Sequence, residues 1–230
     1  MIHRRFINIA CAATCLMWLG GTRSAAATTV AIPQTPDQPL DRLVLLPLFP
    51  LDMVVFPGQS VLLHIFEPRY RELIGDCVRD GITFGISPLL SHGLANYGTE
   101  VELAGVLRTD ESGNMDVALE GMRVFRLHEF RSDFSGKLYS GGMVRFQAND
   151  ATYRPAIQDR LVSQFNRWRD RSGASPVLRG EIPGNLSFAI GNHLGLSTLQ
   201  KVQLIALSAE TDRQAFLSRH LDRVLANNPG

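Results

Sequence analysis

The chain has 230 residues, 23 Lys and Arg against 22 Asp and Glu, 45% hydrophobic residues, three Cys and a mean hydropathy of +0.01. That apolar content with a net charge of only +1 excludes a disordered chain, and a protein that coats nucleic acid or an acidic membrane. Three cysteines do not make a disulfide scaffold, so a globular body remains, long enough to bury about 70% of its unfolded surface.

Residues 1–27 read as a secretory signal peptide. Arg4 and Arg5 form a basic start, an uncharged run follows from Phe6 to Gly21, and Ala25-Ala26-Ala27 supplies small residues before a cut after Ala27. Sixteen residues at about 1.5 Å each give roughly 24 Å of helix, short of the ~30 Å hydrocarbon core. A membrane anchor over residues 6–21 stays open as the alternative, with Arg23 close behind the run. Cleavage removes three of the 23 basic residues and none of the 22 acidic ones, turning the charge from +1 to −2. It also leaves Cys77 as the single thiol, compatible with an oxidising compartment. The protein is therefore expected to be exported, periplasmic or secreted.

Residues 28–41 hold Pro33, Pro36 and Pro39 and read as an extended tether. Residues 42–150 read as a β-rich half. Leu43–Leu48 opens it as a short strand. Pro47 to Pro57 is apolar but interrupted by prolines, which predicts an ordered loop packed over the core. Val61–Phe66 returns to a strand. Pro68 suits the first turn of a helix whose buried stripe is Tyr70, Leu73, Ile74, Cys77 and Val78, ended by Asp80-Gly81. Further strands are expected at Ile82–Ile86, Glu100–Thr109, Asn114–Glu120, Arg123–Phe130 and Leu138–Phe146, with a turn over Asp110–Asn114. Such a pattern predicts a small, partly closed mixed barrel.

Residues 151–227 change to a helical period. Ile157, Leu161, Val162, Phe165 and Trp168 form one stripe. Ser197–Gln200 and Thr211–Gln214 each fit a capping box. Phe216, Leu217, His220, Leu221 and Val224 mark the closing helix. The fold class is α+β.

No phosphate-binding Gly-Lys-Ser/Thr loop, no Gly-x-Ser-x-Gly elbow and no His-Glu-x-x-His helix occurs. The only lysines are Lys137 and Lys201, which leaves little scope for a Ser–Lys dyad. Cys77 reads as a buried structural thiol, His64 and His220 as satisfied core residues, and Asp76 and Asp80 as a solvated pair. No catalytic residue, metal ligand or cofactor is expected. Arg154, Arg160, Arg167, Arg169, Arg171 and Arg179 are interleaved with Tyr153, Phe165 and Trp168, locally like a nucleic-acid reader. Phe165 and Trp168 fall on the apolar stripe, so a solvated helix face is the favoured reading.

The run Leu46-Pro-Leu-Phe-Pro-Leu-Asp-Met-Val-Val-Phe-Pro-Gly58, followed by Leu63-His-Ile-Phe-Glu-Pro-Arg-Tyr-Arg71, resembles the opening of the Lon protease amino-terminal domain, the substrate-binding domain of the peptidase S16 family. Gly105–Leu107, Val117–Leu119, Glu120–Leu127, Leu199–Leu204 and Thr211–Leu225 continue the resemblance, which covers roughly residues 42 to 226. Leu62 stands where the family often has proline. The resemblance implies a PUA-like mixed β-barrel followed by an α-helical bundle, and a non-catalytic module that binds unfolded or extended polypeptides; read with the export signal, its partners are expected in the envelope, an envelope protease among the candidates. Lon's ATPase and protease domains would need several hundred further residues. The PUA-like fold also hosts RNA binders, which is the alternative function. The peptide-binding candidates are Phe49, Met53, Phe56 and Tyr70, if part of the proline-rich loop is exposed; the reading that the whole loop is core stands beside it. His64, Glu67, Arg69 and Arg123 are expected in local salt bridges and packing.

Overall fold

The computed structural model describes residues 42–134, 136–173 and 185–227. Seven strands and five helices follow in chain order: β1 (Val44–Leu51), β2 (Ser60–Ile65), α1 (Pro68–Asp80), β3 (Phe84–Leu90), β4 (Gly93–Leu94), β5 (Tyr97–Thr109), β6 (Met115–Arg131), β7 (Ser140–Phe146), α2 (Pro155–Ser172), α3 (Leu186–His193), α4 (Thr198–Ala206) and α5 (Glu210–Asn227). The strand order is β1-β7-β6-β5-β3-β4, and a parallel β1–β3 pairing bends the sheet into a ring. The expected α+β class holds. The signal and tether expected over 1–41 lie outside the described residues, as does Arg179.

β1 extends three residues further than expected, through Pro47 and Pro50. It pairs with β7 only over Val44–Leu48 and with β3 only over Leu48–Leu51. Each of its sides is therefore half free of ladder bonds, and proline is tolerated where no N–H is needed. β6 also corrects the sequence reading, because two expected strands are one. Its first half lies between β2 and β5, and its second half carries β7. Gly121 marks the exchange. A Cβ there would sit 2.2 Å from Phe56 O. Without one, Gly121 accepts from Gly58 N at 2.8 Å and donates to Gln59 O at 2.9 Å.

That docking makes residues 52–59 a spike shared by two cores. Val55 enters the barrel core with Phe49, Leu73, Phe84 and Leu119. Val54 and Phe56 enter the helical core with Phe165, Phe188, Ile190 and Leu217. Phe56 stacks near Phe188 at 5.6 Å between ring centroids. The buried Thr99 hydroxyl donates to Val55 O at 2.6 Å and fixes the spike between them.

Two buried polar clusters set helix positions. On α1, Asp76 is buried and Val78 is exposed, the reverse of the expected stripe. Asp76 receives the Tyr139 hydroxyl at 2.6 Å, Lys137 Nζ at 2.8 Å and the Arg79 guanidinium. Nearby, Glu72 accepts from Leu138 N at 2.8 Å. These bonds dock the β6–β7 connection onto α1, which is why a carboxylate occupies an inward position. On α5, Arg213 is 1% exposed and bonds Glu210, Ser187 Oγ, Asn149 Oδ1 and the carbonyls of Leu207 and Ser208.

The Ser197–Gln200 capping box forms. The Thr211–Gln214 box does not. The helix starts at Glu210, whose side chain reaches back to Ser187, while Thr211 Oγ1 donates to Thr152 O at 3.1 Å.

Candidate functional site

Three of the four residues expected to offer a peptide surface are core. Phe49 lies 3.6 Å from Tyr70 between ring centroids, and burial of Tyr70 raises its phenol. Phe56 fills the helical core. Met53 is half-buried against the barrel core. A patch built on Phe49, Phe56 and Tyr70 is thereby corrected: Phe49 on β1 and Tyr70 on α1 turn into the barrel core, and alternation along the spike sends Val55 to that core and Val54 and Phe56 to the helical one.

The four structural candidates take local roles. Arg69 and Glu67 form an exposed ion pair at 2.6 Å, with the guanidinium over Tyr70. Arg123 donates to the buried Glu100 at 2.7 Å and lies 3.8 Å over the Phe146 ring. His64 is not a core residue. It points outward from β2, with Nδ1 2.7 Å from Asp116 Oδ1 and its ring beside Phe66.

His64 leads to a surface that the sequence reading missed. β2 runs antiparallel to β6 in one unbroken register, Ser60↔Glu120 to Ile65↔Met115. Side chains alternate faces, so Val61, Leu63 and Ile65 turn inward. Ser60, Leu62 and His64 turn outward, and Phe66 continues their row just past the strand end. Leu62 is 72% exposed and Phe66 60%. Across the sheet, Leu62 lies beside Ala118, which lies beside Gly105 of β5. Register shifts in this half of β5 also bring out Leu107, 62% exposed.

Charge is graded along this face. Glu120 and Glu102 lie at the Ser60 end, in adjacent register and in no ion pair among the described residues. Asp116, His64 and Arg108 lie at the other end. The signal was present in the sequence as alternation in Ser60–Phe66. Only the register shows that its polar and apolar members share a wet face with β6 and β5.

Among the described residues no nucleophile emerges elsewhere. Burial and the neighbouring Asp76 charge push the Cys77 thiol up to about 12. Burial lowers His220. In the arginine run, Arg160 pairs with Asp222 at 2.8 Å and Arg169 lies over Phe165. Phe165 and half-buried Trp168 pack in the helical core, as their stripe predicts.

A family model described as the ATP-dependent protease La (LON) substrate-binding domain matches residues 45–223. Among solved structures, the Lon N-terminal domain protein from Xanthomonas campestris is similar with a TM-score of 0.60 and 27% identity, over 80% of this chain and 98% of that one. The N terminal domain of Mycobacterium avium complex Lon protease is similar in fold, with a TM-score of 0.61 and 17% identity, over 78% of this chain and 98% of that one.

Proposed function

The chain belongs to the ATP-dependent protease La (LON) substrate-binding domain family, and we propose that it is a non-catalytic module that binds unfolded or extended polypeptides through the outward face of β2, β6 and β5. The observation that carries this reading is the exposure of Leu62 and Phe66 in one row, on a sheet face flanked by charge. Large apolar side chains that leave the core together mark interaction surfaces. An extended chain needs such a row and little depth.

The segment Arg4 to Ala27 supports an exported protein, so its clients would be envelope or secreted polypeptides, an envelope protease among the candidate partners. Fluorescence anisotropy with a carboxymethylated, permanently unfolded protein as the probe tests the binding. Leu62→Ser with Phe66→Ser should weaken binding about tenfold or more while the unfolding transition stays in place. Unchanged affinity in that double variant would remove this face from the function.

A further inference from the structure

Beyond its side chains, β2 carries a backbone feature that none of the described residues uses. Gly58 and Gln59 together face Gly121 as a bulge at the mouth of the β2–β6 ladder: Gly121 O accepts from Gly58 N, and Gly121 N donates to Gln59 O, which sets the phase of the ladder beyond it. In antiparallel pairs, bonded and non-bonded positions alternate. Val61, Leu63 and Ile65 therefore spend their N–H and C=O groups on β6. Those of Ser60, Leu62 and His64 point the other way, to the strand's outer edge. β2 pairs with β6 and, among the described residues, with no other strand. Among the described residues no turn, cap or side chain bonds those outer groups.

Exposed edges are ordinarily blunted by proline, lysine or a bulge. Within its six residues β2 has none of the three: its sequence is Ser-Val-Leu-Leu-His-Ile, and past the bulge at Gly58 and Gln59 its register with β6 is unbroken. The edge is six residues long, about 20 Å. Pairing over three outward residues falls far short of the roughly 1,200 Å² that a stable dimer buries. It suits a short extended segment instead. Glu120 and Glu102 lie beside the Ser60 end, in no ion pair among the described residues, so the segment that fits has a basic residue at that end and an apolar side chain opposite Leu62.

Building on the polypeptide-binding reading, we propose that clients are captured by β-augmentation: an extended polypeptide segment adds as a strand to the outer edge of β2. The Leu62 and His64 amides donate to it and their carbonyls accept from it. Affinity then comes largely from main-chain bonds, which are indifferent to client sequence, while Leu62, Phe66 and the two glutamates add a preference for apolar-basic segments.

The test uses the full chain and a fluorescent nonapeptide of alternating Val and Thr with a terminal Lys, in parallel with the carboxymethylated protein. Leu62→Pro removes one outward N–H and leaves every β6 ladder bond intact; Leu62→Ala removes the side chain alone. Leu62→Pro should bind about tenfold more weakly than Leu62→Ala. The peptide N-methylated along its central residues should not bind wild-type protein, a readout that holds even if Leu62→Pro unfolds. Amide exchange at Leu62 and His64 should slow when the unmodified peptide is added. Equal affinities for the two variants, with an N-methylated peptide that still binds, would overturn edge pairing and leave face binding standing. No binding of either probe to wild-type protein would instead overturn the function on which this mode rests. A concentration-dependent dimer that Leu62→Pro abolishes would assign the edge to a second copy of the chain and overturn the proposal.

Discussion

Tyr139 donates its hydroxyl to Asp76 Oδ2 at 2.6 Å, and this bond fixes the β6–β7 connection against α1 across 63 residues of sequence. A phenol on a buried carboxylate is a charge-assisted bond, stronger than a neutral one. Tyr139→Phe leaves Asp76 with Lys137 and Arg79 but one bond short. It should cost about 2 kcal/mol in urea unfolding at neutral pH, with an unchanged denaturant slope.

The same carboxylate sets an acid limit. Burial alone would raise Asp76, but hydrogen bonds from Lys137, Tyr139 and Arg79 outweigh it and hold the group at about 2, against 3.8 for a free carboxyl. Its folded value lies below its unfolded one, so its stabilisation is complete above 3.8 and is lost as pH falls through about 2. Asp76→Asn should flatten that limb of the stability–pH curve, which unfolding midpoints collected between neutral pH and pH 2 would reveal. An unaltered acid limb would show that other carboxylates govern it.

Arg213 and Glu210 sit 2.9 Å apart with almost no exposure. Arg213→Met strands the Glu210 charge in the helical core and should destabilise by about 3–5 kcal/mol. Adding Glu210→Gln should restore a good part of that loss, since the stranded charge and not the missing attraction carries most of the penalty. A double variant no more stable than Arg213→Met would contradict this account.

Gly121→Ala brings a methyl group to within 2.2 Å of Phe56 O, where backbone and not a flexible side chain must yield. The expected loss is on the order of 2 kcal/mol or more, as for other overpacked sites. Because the spike feeds both cores, near-UV and far-UV signals should fall together. Alanine at the open Gly105, with nothing within 4 Å of its Cβ, is the matched control.

Export is checked on protein purified from its own cells. Intact-mass spectrometry should give a chain that begins at Thr28. A chain that keeps Met1 in the membrane fraction would point to the anchor over 6–21, and one that keeps it in the soluble cytoplasmic fraction would refute export.

The alternation of Met115, Val117 and Leu119 and the stripe of Phe165 and Trp168 were readable because each element shows one face to a core and the other to water. α3 was not readable. Leu186, Ser187, Phe188, Ile190 and Gly191 are all buried, and only Asn192 and His193 at its end are exposed, so the helix shows no repeating wet face and hence no period. Asp76 misled for the opposite reason: its partners Lys137 and Tyr139 lie far away in sequence, so it looks solvated beside Asp80. The spike was correctly seen as apolar and ordered, yet local sequence does not say that neighbouring residues serve two different cores. The open edge of β2 depends on register and on what fails to pair with it, and neither is written in the strand itself.

The ring closes where β1 meets β7, at contacts such as Ser140 Oγ on Leu48 O, 92 residues apart. Closing so long a loop is entropically slow, and chains dominated by such distant pairings fold in milliseconds to seconds where helical ones take microseconds. During synthesis β1 has no permanent neighbour on its β7 side until the seventh strand has emerged. On the export proposed above, that delay would keep the chain threadable through a translocation pore until most of its length has been made.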